Sequence, residues 1–208
     1  MTETKRPKVS CVCPIHDMAN GPFFLWRLVN SLTAQTFRDW ELIITKDGKM
    51  AENTNAAIKK CKGDIIKILY MDDYLASEDS LQEIIDNFTG GWLVSGCLHN
   101  NGSEVGNYHT PSMEGIFDGR NTIGSPSVLT FENKDPLLFN TNMSWLLDLE
   151  LYGRLFSRYG KPTILDAPNV IIGLHEGQMT HILTEEQKIE EHKLILKKRE
   201  KDTTQQTG

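Results

Sequence analysis

Between residues 8 and 98 short apolar runs alternate with amphipathic ones, and this alternation restricts the fold more than any other feature of the chain. "KVSCVCPI" is rich in β-branched and small apolar residues and stops at Pro14, which reads as a buried strand. "FFLWRLVNSLTAQT" places Leu25, Leu28, Val29 and Leu32 at helical spacing. "WELIITKDG" is a second strand, closed by the turn pair Asp47-Gly48. "ENTNAAIKKCKG" predicts a short helix that stops at Gly63, and "DIIKILYMDD" a third strand. "SEDSLQEIIDNF" opens on cap residues, Ser77 or Ser80, and carries Leu81, Ile84, Ile85 and Phe88 on one face. After Gly90-Gly91, "WLVSGCL" reads as a fourth strand. Strands and helices in strict alternation predict an α/β, Rossmann-like fold of three layers, a central and mostly parallel sheet between helices.

The remainder is less regular. Gly, Asn, Ser, His and Pro accumulate over residues 99–120, which predicts loops or a hairpin. "SPSVLTFEN" is a further strand, "MSWLLDLELYGRLFSRYG" a helix stopped at Gly160, and "PTILDAPNVIIGLHEGQMT" one or two short strands. "TEEQKIEEHKLILKKREK" has acids early and bases late, matching the dipole of a helix. The expected organisation is one domain over residues 1–208, with its core at 8–180, a C-terminal helix at 181–201 and a disordered tail at 202–208.

Composition excludes some classes of function. The net charge of -6 is the wrong sign for a chain built to grip nucleic-acid backbones. The apolar stretches are too short to span a bilayer, and the polar start "MTETKRPKVS" lacks the apolar centre of a signal peptide. Cys11, Cys13, Cys61 and Cys97 lack paired metal spacing and read as small thiols in a reducing cytoplasm, which makes cytoplasmic the expected location. His99, His109, His181 and His192 belong to no motif and are expected on the surface or in loops.

The chemistry gathers at strand ends. In parallel sheets ligands bind at the carboxyl ends of the strands. Here one strand ends near His16 and Asp17, the next at Asp47, and the third at Asp72-Asp73. Two adjacent carboxylates after an apolar run repel each other unless a cation sits between or near them.

In order and spacing these segments resemble the family 2 glycosyltransferases of the GT-A fold over about residues 8–180. The matching runs are "VSCVCPIHD", "SLTAQTFRDWELIITKDG", "NAAIKKCKGDIIKILYMDD", "SPSVLTF", "LDLELYGRL" and "LHEGQMT". The resemblance implies an inverting, metal-dependent transfer of a sugar from a nucleotide-diphosphate donor to an acceptor hydroxyl. It places Mn2+ or Mg2+ on Asp73 and Asp72, with His175 completing the metal shell or binding the diphosphate. Pro14 and His16 would flank the nucleotide base, Asp47 would accept the N–H of uracil or thymine, and Asn55 and Asp72 would complete the nucleotide site. UDP- or dTDP-sugars are therefore the favoured donors. Asp148, six residues before Arg154, matches the family's catalytic base, with Glu150 as the alternative. Gln178 and Thr180 would line the donor side.

The chain departs from the family at Tyr70, where an Asp is usual, at Lys46 before Asp47, and at His16 and Asp17 in place of an aromatic and an Asn. These departures leave two other readings open. One is a binding module for sugar nucleotides or glycans that kept the fold without turnover. The other is a transferase acting on modified DNA bases. The acceptor, whether glycan, lipid-linked or nucleic acid, has no motif.

Overall fold

The computed structural model describes the backbone of residues 6–206 and the side chains of residues 6–116 and 118–197. Apart from one short additional strand at Tyr74–Leu75, the first half alternates as the sequence predicts: β1 (Val9–Pro14), α1 (Gly21–Thr33), β2 (Trp40–Thr45), α2 (Met50–Ile58), β3 (Ile65–Ile68), β4 (Tyr74–Leu75), α3 (Ser80–Asn87) and β5 (Trp92–Asn100). The second half follows with β6 (Val105–His109), β7 (Leu129–Glu132), α4 (Leu147–Tyr159), β8 (Thr163–Gly173), α5 (Met179–Ile182) and α6 (Glu185–Gln206). Short 3-10 turns occupy Ile116–Asp118 and Pro126–Val128.

Among the described residues eight strands form one sheet in the order β2-β1-β3-β7-β5-β8-β4, with β6 beside β5. β1, β2, β3, β5 and β8 run one way, and β4, β6 and β7 run against them. Successive side chains of a strand point to opposite faces. All six residues of β1 and all four of β3 are buried, so both faces of the sheet centre are covered. α2 packs on β1 and β2, α1 on β4, and α3 on β8. The core runs from Val12, Ile66 and Leu69 through Trp92 and Phe131 to Leu149, Tyr152 and Leu155, all essentially inaccessible to solvent.

Several polar residues of the motifs serve the fold. Gln35 is fully buried, donates to Ser31 O and Ser77 O (2.9 and 2.6 Å) and accepts from the Leu81 N–H (2.8 Å), which fastens α1 to the start of α3. Asn53 donates to Ile15 O (2.8 Å) and accepts from the Asp47 N–H (3.0 Å), which ties the ends of β1 and β2 together.

The region from 99 to 120 holds a hairpin: β6 pairs with the end of β5 across a turn in which Asn101 Oδ1 accepts from the backbone of Ser103 and Glu104. The "PTILDAPNVIIG" run forms a single strand of 11 residues, because register shifts at Ser95/Gly96 and Gly96/Cys97 absorb Pro168 without ending the pairing. α6 continues to Gln206, past the expected boundary at 201, because "KDTTQQ" contains no Gly or Pro to stop a helix. Of the expected disordered tail, residues 207–208 lie outside the described residues. No helix among the described residues is long and apolar enough to cross a membrane.

Candidate active site

β2, β1 and β3 are neighbours, so their carboxyl ends lie side by side as the strand-end argument requires. After β3 the chain turns through Leu69 and Met71, both buried, and delivers Asp72 and Asp73 at the entrance to β4. A cleft of about 690 Å³ opens there, with His16, Tyr70, Asp72, Asp73 and His175 on its lining, and Asp148 on the same lining.

Asp73 is 2 % exposed and lies deepest. Its Oδ1 accepts from the Gly173 N–H at 2.9 Å and its Oδ2 from the Ser125 hydroxyl at 3.5 Å, the long limit of a hydrogen bond, while the Ser127 hydroxyl also favours the charged carboxylate. Burial pushes this carboxyl well above the usual carboxylate range, and the neighbouring Asp72 charge pushes it further. Gly173 is required for this packing, since a Cβ there would collide with the carbonyl oxygen of Asp72. That same carbonyl accepts from Arg27 Nη2 at 2.6 Å, and the Arg27 guanidinium lies 4.2 Å from the centre of the Tyr74 ring. Arg27 thus places a fixed positive charge behind the acidic pair and partly offsets the rise at Asp73.

His175 bonds to Asp72 Oδ2 through Nε2 at 2.9 Å, and its ring stacks on Phe24 at 5.6 Å. The Gly177 N–H donates to Nδ1 at 3.1 Å, so in the neutral ring Nε2 carries the proton and donates to Asp72. With both nitrogens engaged, His175 stands as the partner that orients Asp72. Gln178 lines the cleft and donates to Gly173 O at 2.9 Å.

Asp148 is the second residue of α4 and 7 % exposed. Its Oδ2 accepts from the Asn121 amide at 2.7 Å and its Oδ1 from the Leu149 N–H at 2.7 Å. Burial pushes its carboxyl up to about 7, against the lowering effect of these bonds. A carboxylate poised near neutrality suits proton abstraction. Glu150, the alternative base, is held by Arg154, whose Nε meets both carboxylate oxygens at 2.9 Å and whose Nη2 meets Oε2 at 2.6 Å.

The other expected site residues are distributed unevenly. His16 reaches the cleft lining, while Pro14 is buried within β1 and is not on it. Asp47 is exposed at the end of β2, outside the cleft lining. Lys46 turns to Asp17 at 2.7 Å and does not engage the Asp47 carboxylate. Asn55 is placed elsewhere: its amide donates to Phe139 O (2.9 Å) and accepts from the Phe139 N–H (2.7 Å), so its side chain anchors a loop. His192, expected on the surface, lines the cleft. Asn121 stands in no sequence motif, and its Oδ1 builds a turn by accepting from the Ile123 and Gly124 N–H groups. Lys67 likewise stands in an apolar run with no site motif of its own. It is fully buried in β3, donates to Ser127 O, and burial pushes its ammonium down to about 7. The four cysteines are free thiols.

Among the described residues no three His, Cys, Asp or Glu side chains converge as a ready metal cage. A divalent ion that shares phosphate oxygens with its substrate needs only one or two protein carboxylates. Among the described residues Asp72 Oδ1 has no hydrogen-bond partner, and the Asp73 carboxyl, raised first by burial and then by the Asp72 charge, would be relieved by a cation. The residues present fit a hard divalent cation held by Asp72 and Asp73.

No protein-family model matches the chain, and no curated protein matches its sequence. Solved structures do match its fold. S. aureus TarS 1–349 in complex with UDP-GlcNAc superposes with a TM-score of 0.64 at 14% identity, covering 85% of this chain and 61% of that one. The same protein in complex with UDP gives 0.62 at 14% identity over 81% and 61%. The mannosyltransferase PcManGT from Pyrobaculum calidifontis, in complex with GDP-Man and Mn2+, gives 0.58 at 13% identity over 86% and 59%. The chain therefore spans about 60% of the length of these structures. At such identities the likeness is one of architecture: the chain has the GT-A fold.

Proposed function

We propose that the chain is an inverting, divalent-metal-dependent glycosyltransferase of the family 2 type, a hexosyltransferase-like enzyme of class EC 2.4. It would move a sugar from a nucleotide-diphosphate donor to an acceptor hydroxyl. The observation that carries this reading is one cleft lined by both an acidic pair suited to Mn2+ or Mg2+ and a separate buried carboxylate near neutrality, Asp148. The solved structures that share the fold hold UDP, UDP-GlcNAc, or GDP-Man with Mn2+, which supports a sugar-nucleotide donor.

Asp72 and Asp73 would hold the cation, which neutralises charge gathering on the leaving diphosphate. His175 keeps Asp72 oriented, and Arg27 steadies the turn from behind. Asp148 takes the proton of the acceptor hydroxyl as that oxygen bonds to the anomeric carbon. The bond from that carbon to the diphosphate oxygen breaks on the opposite side, its electron pair leaves with the diphosphate, and the configuration inverts. Asp47 would accept the N3–H of uracil or thymine, a role left open to it because Lys46 is paired with Asp17. UDP- and dTDP-sugars are therefore favoured over GDP-sugars, and those over CMP-sugars.

A thermal-shift panel of these donors, with and without manganese, tests the reading. Stabilisation should follow that order and require the metal. With the stabilising donor, Asp148→Asn should keep nucleotide affinity and cut transfer roughly a hundredfold or more. Metal-dependent binding without turnover in the parent would instead support the binding-module reading, and selective transfer to a modified DNA duplex would support the DNA-base reading.

A further inference from the structure

The proposed reaction leaves α6 without a role, yet one face of it is turned into the domain. Lys188, Glu191, His192 and Ile195 follow helical spacing. Ile195 is 4 % exposed, His192 lines the cleft, and the Lys188 ammonium stands 5.8 Å from the centre of the Trp145 ring.

Glu191 is the unusual member of this face. The first N–H groups of a helix have no partner within it. At the start of α4 the cap residue Leu146 has no side chain that could accept from them. Glu191, on another element, accepts from the Leu146 N–H, the first of them, and from the two N–H groups that precede it. Its Oε1 accepts from the Ser144 N–H at 2.7 Å, and its Oε2 from the Trp145 and Leu146 N–H groups at 2.9 and 2.8 Å. Charge-assisted bonds of this kind are about twice as strong as neutral ones, and a carboxylate at a helix N-terminus also meets the positive end of the helix dipole. Asp148 follows two residues after the last of these N–H groups.

We propose that Glu191 is a positioning residue: through the backbone of Ser144, Trp145 and Leu146 it holds the first turn of α4, and with it Asp148, against the cleft. α6 is on this account a working part of the site. The inference deepens the reading of Asp148 as the base, but its test does not require catalysis. The titratable and charged groups around Asp148 are Glu191 from α6, Tyr70 after β3 and Tyr152 one turn along α4, with His192, Arg120, His16, His175, Asp72 and Asp73 on the same cleft lining. Of these, Glu191 contributes a like charge that pushes the Asp148 carboxyl up, so removing it lowers the pH at which Asp148 titrates.

The experiment is carbon NMR of the labelled Asp148 carboxyl in the full chain, titrated with pH, together with amide exchange at Ser144, Trp145 and Leu146. In Glu191→Gln the Asp148 titration should move to lower pH, and the three amides should exchange roughly tenfold faster or more while those of β1 are unchanged. An unmoved Asp148 titration, or three unmoved amides, would overturn the proposal. Should Glu191→Gln not fold, the parent decides: these amides should exchange as slowly as those of β1, and exchange at the rate of the exposed Asn101–Glu104 turn would overturn it. Failure of the base reading is separate, since it would appear as transfer retained in Asp148→Asn with these NMR results intact.

Discussion

Asp148 gives the site a pH signature independent of any substrate. Its carboxyl titrates near 7 in the folded chain and near the ordinary carboxylate value, about 3.9, in the unfolded one. Between those values the folded state holds the extra proton, so this residue makes stability fall as pH rises. Asp148→Asn removes that dependence. Urea melts at about pH 5 and about pH 8 should show a smaller loss of stability in the variant than in the parent, and parallel losses would show that the carboxyl is not raised. Asn55 predicts the opposite kind of behaviour. Asn55→Ala strands the buried N–H and carbonyl of Phe139 and should cost about 2–4 kcal/mol in a denaturant melt while leaving nucleotide affinity unchanged. At this scale the acids were legible because a polar residue in an apolar run is conspicuous, as Asp148 is in "WLLDLEL". Asn55 was not, since an amide beside a site looks the same in sequence whether it faces a ligand or a backbone.

The acidic pair depends on β8, which pairs with β4 and brings Gly173 against Asp72. Gly173→Ala should force that strand away from the turn, and metal-dependent nucleotide binding should fall at least tenfold as Asp73 loses its N–H partner. Calorimetry would show this, and unchanged affinity would mean the turn holds its shape without β8. The pairing of β8 with the acidic turn could not be read from the sequence, because it joins residues 100 apart. The eight strands and helices from β1 to β5 could, except for the two-residue β4, because each carries its own periodicity and stop signal. α6 shows the limit of that method: its acids-first pattern predicted the helix, but Glu191 resembles the exposed acids around it until its three backbone partners are known.

The whole molecule has one cleft with two chemical poles, the acidic pair Asp72 and Asp73 beside the carboxyl ends of β1, β2 and β3 and the buried carboxyl of Asp148 at the start of α4. The two poles should separate cleanly under mutation, because binding of a nucleoside diphosphate involves only the first. The direct measurement is a calorimetric titration of UDP, with manganese and with chelator, into the parent chain, Asp73→Ala and Asp148→Asn. Binding that requires the metal, disappears in Asp73→Ala and persists in Asp148→Asn is the predicted result; UDP affinity indifferent to chelator and to Asp73→Ala would contradict the account.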